Sequence, residues 1–377
     1  MSFESLGLSP AFVQSLANQQ YTKPTTIQEK AIPAILNKED VLGIAKTGSG
    51  KTMAYVLPLL MHLQDHVGVK NRHANMLILV PTRELAEQVH TVFKTFSPAL
   101  SHPVKTVAVY GGVSINPQMM GMQGVNVLIA TPGRLLELLD NNAVHLSSIS
   151  TLVLDEADKM LNLGFKAQMD QILSHLPAKR QNILLSATLS ADLQSIQQIV
   201  LSNPTVIQIE EEEDSIELIK QTAYLMPPEK KGPYLRQLIQ QKEMNQVLIF
   251  ASSVYQVDAV VNKLKKNGID ARAIHSKKSQ GARTEALSQF KSGKLRVLVA
   301  TDLMARGIDI HFLPFVINYE LPRSPKDYIH RIGRTGRAEQ SGEAITLLTH
   351  LELQHFEVIQ KKMGKRVELI DIDRHVN

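Results

Sequence analysis

VLGIAKTGSGKTMAYVLPLL, residues 41–60, runs from a β-branched stretch through a glycine-punctuated turn into a long apolar segment without a break. A strand handed to a helix through such a turn is the opening unit of a parallel α/β sheet. The turn, AKTGSGKT (Ala45–Thr52), has the make-up of a phosphate loop. Gly48 and Gly50 let backbone N–H groups turn inward round phosphate oxygens, Lys51 can reach the β and γ phosphates, and the Thr52 hydroxyl can ligate Mg2+. Ala45 stands where the usual pattern has its first glycine.

The same grammar recurs along the chain. VLGIA (41–45), MLILV (76–80), TVAVY (106–110), VNVLIA (125–130), TLVLD (151–155) and NILLS (182–186) each lead into a turn and a helical pattern. QVLIFA (246–251), ARAIH (271–275), RVLVAT (296–301), FVINY (315–319) and AITLL (344–348) repeat this in the second half. Nearly continuous apolar strands alternating with helices predict parallel sheets covered on both faces. At 377 residues the chain exceeds what one core usually serves, so two α/β domains are expected. The sharpest compositional break is the run of five acids, Glu210–Asp214, within QIEEEEDSIELI (208–219). It marks a linker between a first domain of 1–207 and a second of 220–377, either as a charged hinge or as a plain solvated segment. Residues 1–207 hold 15 Lys+Arg against 14 Asp+Glu, and residues 215–377 hold 26 against 17, which places nearly all the positive excess in the second domain. Two similar halves without a residue-level repeat suggest an ancient duplication.

The absence of cysteine excludes disulfide frameworks, thiolate zinc sites, iron–sulfur clusters and cysteine nucleophiles, and fits a reducing compartment. MSFESLGLSP has no basic region leading into an apolar run, and no apolar stretch approaches membrane-spanning length. A cytoplasmic protein with no membrane partner is therefore expected. A formal charge of +5 permits a polyanionic partner without demanding one.

In open parallel sheets, functional groups gather beyond the carboxyl ends of the strands. The turns there contain AKTGSGKT, PTREL, YGG, ATPGR, DEAD, SAT, ATD and HS, which set acids, bases and threonines along one edge. DEAD (Asp155–Asp158) directly follows the strand LVL. An acid at that strand end can hold hydrated Mg2+ and its neighbour can orient or deprotonate an attacking water, roles that suit Asp155 and Glu156. Alone, the four residues could be acids at a helix N-terminus; with GKT at another strand end they predict a phosphate-splitting site. NKED (Asn37–Asp40) imitates a guanine-reading tetrad but precedes the phosphate loop, so guanine specificity is not expected. His62 and His66 have the spacing of a metal pair, yet no glutamate follows His62 and no third ligand is evident, so a plain helix face is expected.

YTKPTTIQ, AKTGSGKT, PTRELAEQ, GG, TPGR, DEAD, SAT, LIF, SQGAR, VATDLMARGID and HRIGRTGR occur in that order. With them the chain resembles the DEAD-box ATP-dependent RNA helicases over essentially its whole length, and GGVSINPQMM and NYELP narrow the likeness to the bacterial RhlE branch. The resemblance implies two tandem RecA-like domains, ATP and Mg2+ as cofactors, and RNA held by its sugar–phosphate backbone without regard to sequence. By the same resemblance Tyr21 and Gln28 match the adenine-reading segment, with Phe3 as the candidate upstream aromatic. Thr47, Gly48, Ser49, Gly50, Lys51 and Thr52 match the phosphate loop, and Asp302, Gly307 and Asp309 match further nucleotide positions. Ser186 and Thr188 match the segment that couples hydrolysis to strand separation, and Asp158 and His330 tie it to its neighbours. Arg334 and Arg337, three apart, match arginine fingers on the γ-phosphate. Pro81, Thr82, Arg83, Gly112, Thr131, Pro132, Gly133, Arg134, Arg283, Thr301 and Gly307 match positions on the RNA backbone, though each alone could equally be a turn residue. Ribosome-assembly or RNA-decay proteins are partners by family analogy only.

The chain departs from the family pattern in several places. Ser276 and Lys277 stand where such chains carry Gly and an acidic or polar residue, Met304 stands where a small residue is common, and LIFASS lacks the Arg or Asn often found after its strand. The chain ends at RHVN, without the basic tail of many relatives. An RNA-stimulated ATPase that opens short duplexes or remodels RNA–protein complexes is the leading expectation. An ATP-gated RNA clamp with little unwinding is the alternative, and a DNA-translocating helicase is disfavoured by Gln28 together with DEAD.

Overall fold

The computed structural model describes residues 1–45, 48–64, 71–188, 191–209, 219–302, 313–335 and 342–373. The chain divides into two compact units, Met1–Glu211 and Glu212–Asn377.

In the first unit the apolar runs form β1 (Val41–Ile44), β2 (Met76–Leu79), β3 (Thr106–Val109), β4 (Val127–Ala130), β5 (Thr151–Leu154) and β6 (Gln181–Ser186), and Thr205–Gln208 adds β7. All pair in parallel, in the order β3-β4-β2-β5-β6-β1-β7. The helices are α1 (Pro10–Asn18), α2 (Thr26–Leu36), α3 (Lys51–Leu63), α4 (Arg83–Phe96), α5 (Asn116–Gly121), α6 (Pro132–Asp140), α7 (Ala157–Asn162), α8 (Lys166–Ser174) and α9 (Ala191–Val200). Alternate residues of a strand face opposite sides. Met76 and Ile78 of β2 enter a core built with α1–α4, while Leu77 and Leu79 enter a second core with α6–α9. A strand buried on both faces must be apolar at every position, which is why these runs show no alternation.

The second unit holds β8 (Lys220–Leu225), β9 (Val247–Phe250), β10 (Ala271–Ile274), β11 (Val297–Ala300), β12 (Phe315–Asn318), β13 (Glu343–Leu348) and β14 (Glu368–Asp371). Its helices are α10 (Pro228–Gln241), α11 (Val254–Lys265), α12 (Gln280–Lys291), α13 (Pro325–Ile332) and α14 (Leu353–Met363). The sheet order, β10-β11-β9-β12-β13-β8-β14, repeats that of the first unit strand for strand.

β7, β8 and β14 are absent from the apolar runs of the sequence. β7 and β14 are edge strands, where one side needs no apolar partner. β8 buries Gln221 and Thr222, and Tyr328 bridges Thr346 at 3.1 Å and the Gln221 side-chain oxygen at 3.5 Å, while the Gln221 amide nitrogen is buried without a partner among the described residues. The NKED segment is a clasp at the amino edge. Asp40 accepts the backbone N–H groups of Asn182 at 2.7 Å and Ser202 at 2.8 Å, and the Gln181 amide reaches the carbonyls of Ile35 and Glu39. Among the described residues no helix is long and apolar enough to cross a membrane.

Candidate functional site

The carboxyl ends of β1, β6 and β5 are neighbours, with Ile44 opposite Ser186 and Leu154 opposite Leu184. The phosphate loop, SAT and DEAD therefore leave the sheet side by side. Thr47 lies outside the described residues. Gly48 and Gly50 have φ of 82° and 92°, a left-handed backbone that glycine adopts without strain. At residue 50 a Cβ would lie 2.6 Å from Gln28 Nε2 and 2.8 Å from Thr25 Oγ1, so the loop closes on glycine for space as well as for conformation. Gln28 accepts the Thr25 N–H at 2.9 Å, completing a capping box on α2, and donates to the Gly50 carbonyl at 3.2 Å. The adenine-segment candidate is thus fastened directly to the phosphate loop. Tyr21 is 45% exposed, with its ring centroid 6.3 Å from that of Phe96. Phe3, by contrast, is buried in the core under α1 and α2 and presents no open ring face.

Lys51 begins α3, is buried, and donates to the Ala45 carbonyl, so the alanine in place of the usual glycine contributes its backbone oxygen. Burial lowers its pKa, against the attraction of Asp155, Glu156 and Asp158. The Ser49 hydroxyl is buried without a partner among the described residues. Asp155 is 2% exposed, accepts from Tyr55 Oη at 3.0 Å, and accepts the Glu156 N–H at 2.9 Å. Burial, reinforced by Glu156, pushes its carboxyl up to about 6, while Lys51 pulls the other way. Tyr55 was not legible in the sequence, where it reads as one more apolar position on α3. Glu156 caps α7 with φ 52° and pairs with Lys159 at 3.0 Å. Asp158 accepts from Thr188 Oγ1 at 2.9 Å, and Ser186 Oγ donates to the Thr188 carbonyl at 2.8 Å. The structure therefore brings Lys51, Asp155, Glu156, Asp158, Ser186 and Thr188 together.

The raised carboxyl of Asp155 acts on stability with a definite sign. Its folded pKa lies above the unfolded one, so the penalty on the charged form is absent below about 3.8 and complete above about 6. Asp155→Asn should raise the unfolding free energy of the ligand-free protein near pH 8 by up to about 3 kcal/mol, and with it the melting midpoint, and bring little gain near pH 4. Thermal melts at the two pH values check this; a lowered midpoint near pH 8 would contradict it.

A second set of candidates follows β2, β3 and β4. Thr82 caps α4 by accepting the Leu85 N–H at 3.3 Å. Gly112, with φ 80°, faces the Arg83 guanidinium so closely that a Cβ would stand 1.8 Å from Nη2. Pro81 is buried, Thr131 is 9% exposed, Pro132 opens α6, and Gly133 faces open space. Arg134 does not reach outward. It is buried, donating to Glu137 at 2.8 Å and to the Val113 carbonyl at 2.9 Å, so it braces the glycine turn.

In the second unit Thr301 and Asp302 follow β11. Both oxygens of the Asp302 carboxylate are engaged by Arg331, at 2.5 and 2.8 Å. Arg331 also donates to Asn318 and to the Glu320 carbonyl, and lies 4.9 Å from the Phe250 ring centroid. It is fully buried and fixes α13 to the ends of β9, β11 and β12; sequence reasoning passed over it between His330 and Arg334. Arg334 follows α13 and is 4% exposed, and His330 is half-buried. Arg283 of α12 is buried and donates to Gln280 at 2.5 Å. Gly307, Asp309 and Arg337 lie outside the described residues.

Comparison with known proteins agrees with this arrangement. The family described as DEAD/DEAH box helicase matches residues 25–196, and the helicase conserved C-terminal domain matches residues 230–339. The chain is 35% identical over 375 residues to the ATP-dependent rRNA helicase rrp3 of Schizosaccharomyces pombe, covering 99% of this chain and 79% of that protein. It is 39% identical over 358 residues to DEAD-box ATP-dependent RNA helicase 24 of Oryza sativa subsp. japonica, covering 94% of this chain and 46% of the relative, so it spans about half the length of such plant relatives. The solved structure of S. cerevisiae Dbp5 bound to RNA and ADP BeF3 is similar at a TM-score of 0.84 and 28% identity, covering 98% of this chain and 95% of that one. With two sheets of one topology, a phosphate loop beside DEAD and SAT, and relatives that match nearly the whole of this chain, the chain belongs to the DEAD-box ATP-dependent RNA helicase family.

Proposed function

We propose that the chain is an RNA-stimulated ATPase that hydrolyses ATP to ADP and phosphate and uses the cycle to open short RNA duplexes or remodel RNA–protein complexes. The observation that carries this reading is that Asp158, which with Asp155 lies close enough to Lys51 to attract its charge, is hydrogen-bonded to Thr188, and Thr188 in turn to Ser186. Such a path lets the state of a phosphate at the loop reach the turn after β6. The likeness to a relative solved with RNA and ADP BeF3 supports both ligands together.

The residues fit ATP with Mg2+. The partnerless Ser49 hydroxyl and the left-handed glycine backbone at Gly48 and Gly50 suit phosphate oxygens, and the Thr52 hydroxyl and Asp155 carboxylate are hard oxygen donors. Thr52 and Asp155 would hold the metal, which when bound shields phosphate charge. Lys51 neutralises the phosphates, and Glu156, aimed by Lys159, takes the proton of the attacking water. Arg334, with Arg337, supplies positive charge from the second unit. Hydrolysis then requires the units to close about the linker at 208–219, and RNA gripped by both favours closure. By linkage ATP and RNA strengthen each other's binding. Strand separation on this account is local, by bending one strand.

Gln28 keeps one amide hydrogen and one lone pair beyond the bonds it already makes, matching the donor and acceptor on the adenine edge. Gln28→Ala should lower the preference for ATP over GTP by about five- to 150-fold, read as a ratio of affinities; an unchanged ratio would remove the base-reading role.

Steady-state ATP hydrolysis without nucleic acid, with single-stranded RNA and with matched DNA, beside strand separation of a short RNA duplex, tests the whole proposal. RNA-specific stimulation with unwinding is expected. ATP-dependent RNA retention without turnover would favour a clamp, and equal stimulation by DNA would overturn the RNA assignment.

A further inference from the structure

Tyr255, in the first turn of α11, is 81% exposed, the most exposed aromatic side chain among the described residues. An exposed tyrosine alone needs no explanation; its place in the fold gives it one. β9, β11 and β10 pair in one register that sets Phe250, Ala300 and Ile274 side by side. From those three ends the chain continues to Tyr255, to Thr301, and to the segment that opens α12 and carries Arg283. Thr301 and Arg283 are the described RNA candidates of this unit, so the exposed ring shares their sheet edge.

Charges around the ring decide what it can meet. Asp258, three residues on and on the same helical face, lies 2.9 Å from Lys278 Nζ and 3.1 Å from Nε2 of the buried His275. This pairing draws the β10–α12 segment against α11 and brings Lys278 and the exposed Lys277 to the tyrosine's neighbourhood. At the start of α11 the Glu320 carboxylate accepts the Ser252 N–H at 2.8 Å and the Ser252 hydroxyl, filling the donors that would otherwise suit a phosphate. A phosphate at that spot meets a carboxylate, whereas a base meets an open ring with cations nearby for its flanking phosphates. An aromatic face beside basic side chains is the physical pattern of a single-strand platform.

We propose that Tyr255 stacks on one unpaired base of the bound RNA strand. The proposal rests on RNA as the ligand. Stacking accepts any base, so it adds grip without sequence preference, and it favours an opened strand over a duplex whose base faces are covered.

The test uses the full chain and single-stranded RNA oligomers carrying 2-aminopurine at successive positions; the chain has no tryptophan to interfere. In the presence of a non-hydrolysable ATP analogue, one position should be quenched in the wild type, lose its quenching in Tyr255→Ala, and keep it in Tyr255→Phe. The dissociation constant for the oligomer should rise about five- to 150-fold in the alanine variant and stay near wild type in the phenylalanine variant. Wild-type affinity and quenching in Tyr255→Ala would overturn the proposal and leave the RNA reading standing, with a protein partner or plain solvent as the neighbour of the ring. Equal losses in both variants would replace stacking by a hydroxyl contact and also overturn it. A wild-type chain that ignores RNA would sink the RNA reading and this proposal with it.

Discussion

Glu156→Gln is expected to leave ATP and RNA binding in place while turnover falls by about 10² to 10⁴. The amide has the shape of the carboxylate, so the cap on α7 and the contact to Lys159 can survive as a hydrogen bond, but it cannot accept a proton. The electrostatics point the same way. Glu156 is the second cause, after burial, of the raised Asp155 carboxyl, so removing its charge lets Asp155 ionise more readily and favours Mg2+ with the nucleotide. Nucleotide affinity should therefore hold or tighten as hydrolysis stops. Steady-state turnover with nucleotide titrations measures both, and wild-type turnover in the variant would remove Glu156 from the mechanism.

Arg334→Ala should lower turnover by about 10³ to 10⁵ with little change in nucleotide affinity. The substitution removes the guanidinium and its aliphatic stem and leaves the backbone. The Arg334 backbone carbonyl still accepts the Leu313 N–H at 3.1 Å, and its own N–H still reaches the Arg331 carbonyl at 3.2 Å. Arg331→Ala is the contrasting variant. It would strand the carboxylate of Asp302 and the amide of Asn318 without their partner and should lower the melting temperature as well as activity. If Arg334→Ala turns over like the wild type, its role as a finger fails.

Much of this was legible in the sequence because burial on both faces leaves no choice of residue. Each of the eleven apolar runs became a strand, and the turns after β1, β5 and β6 carried the site. What escaped was of two kinds. β7 and β14 lie at sheet edges and β8 buries Gln221 and Thr222, with Tyr328 as a partner for the Gln221 oxygen, so none of the three formed an apolar run. The other kind concerns direction. A motif names an arginine or an acid, but only packing says where it points: Arg134 turns inward to the glycine turn, Asp302 pairs with Arg331, and Phe3 fills the core. Tyr55 and Arg331 reached the site by burial next to charges, a relation that spacing along the chain does not encode.

The central claim is that hydrolysis waits for two units, each holding part of the machinery, to close on a gripped strand. The chain has no cysteine, so one cysteine introduced on an exposed position of each unit takes a dye without background labelling. Energy transfer between the dyes should report a shortened distance only when RNA and a non-hydrolysable ATP analogue are both present. The same shortening with nucleotide alone, or no change with both ligands, would contradict the account.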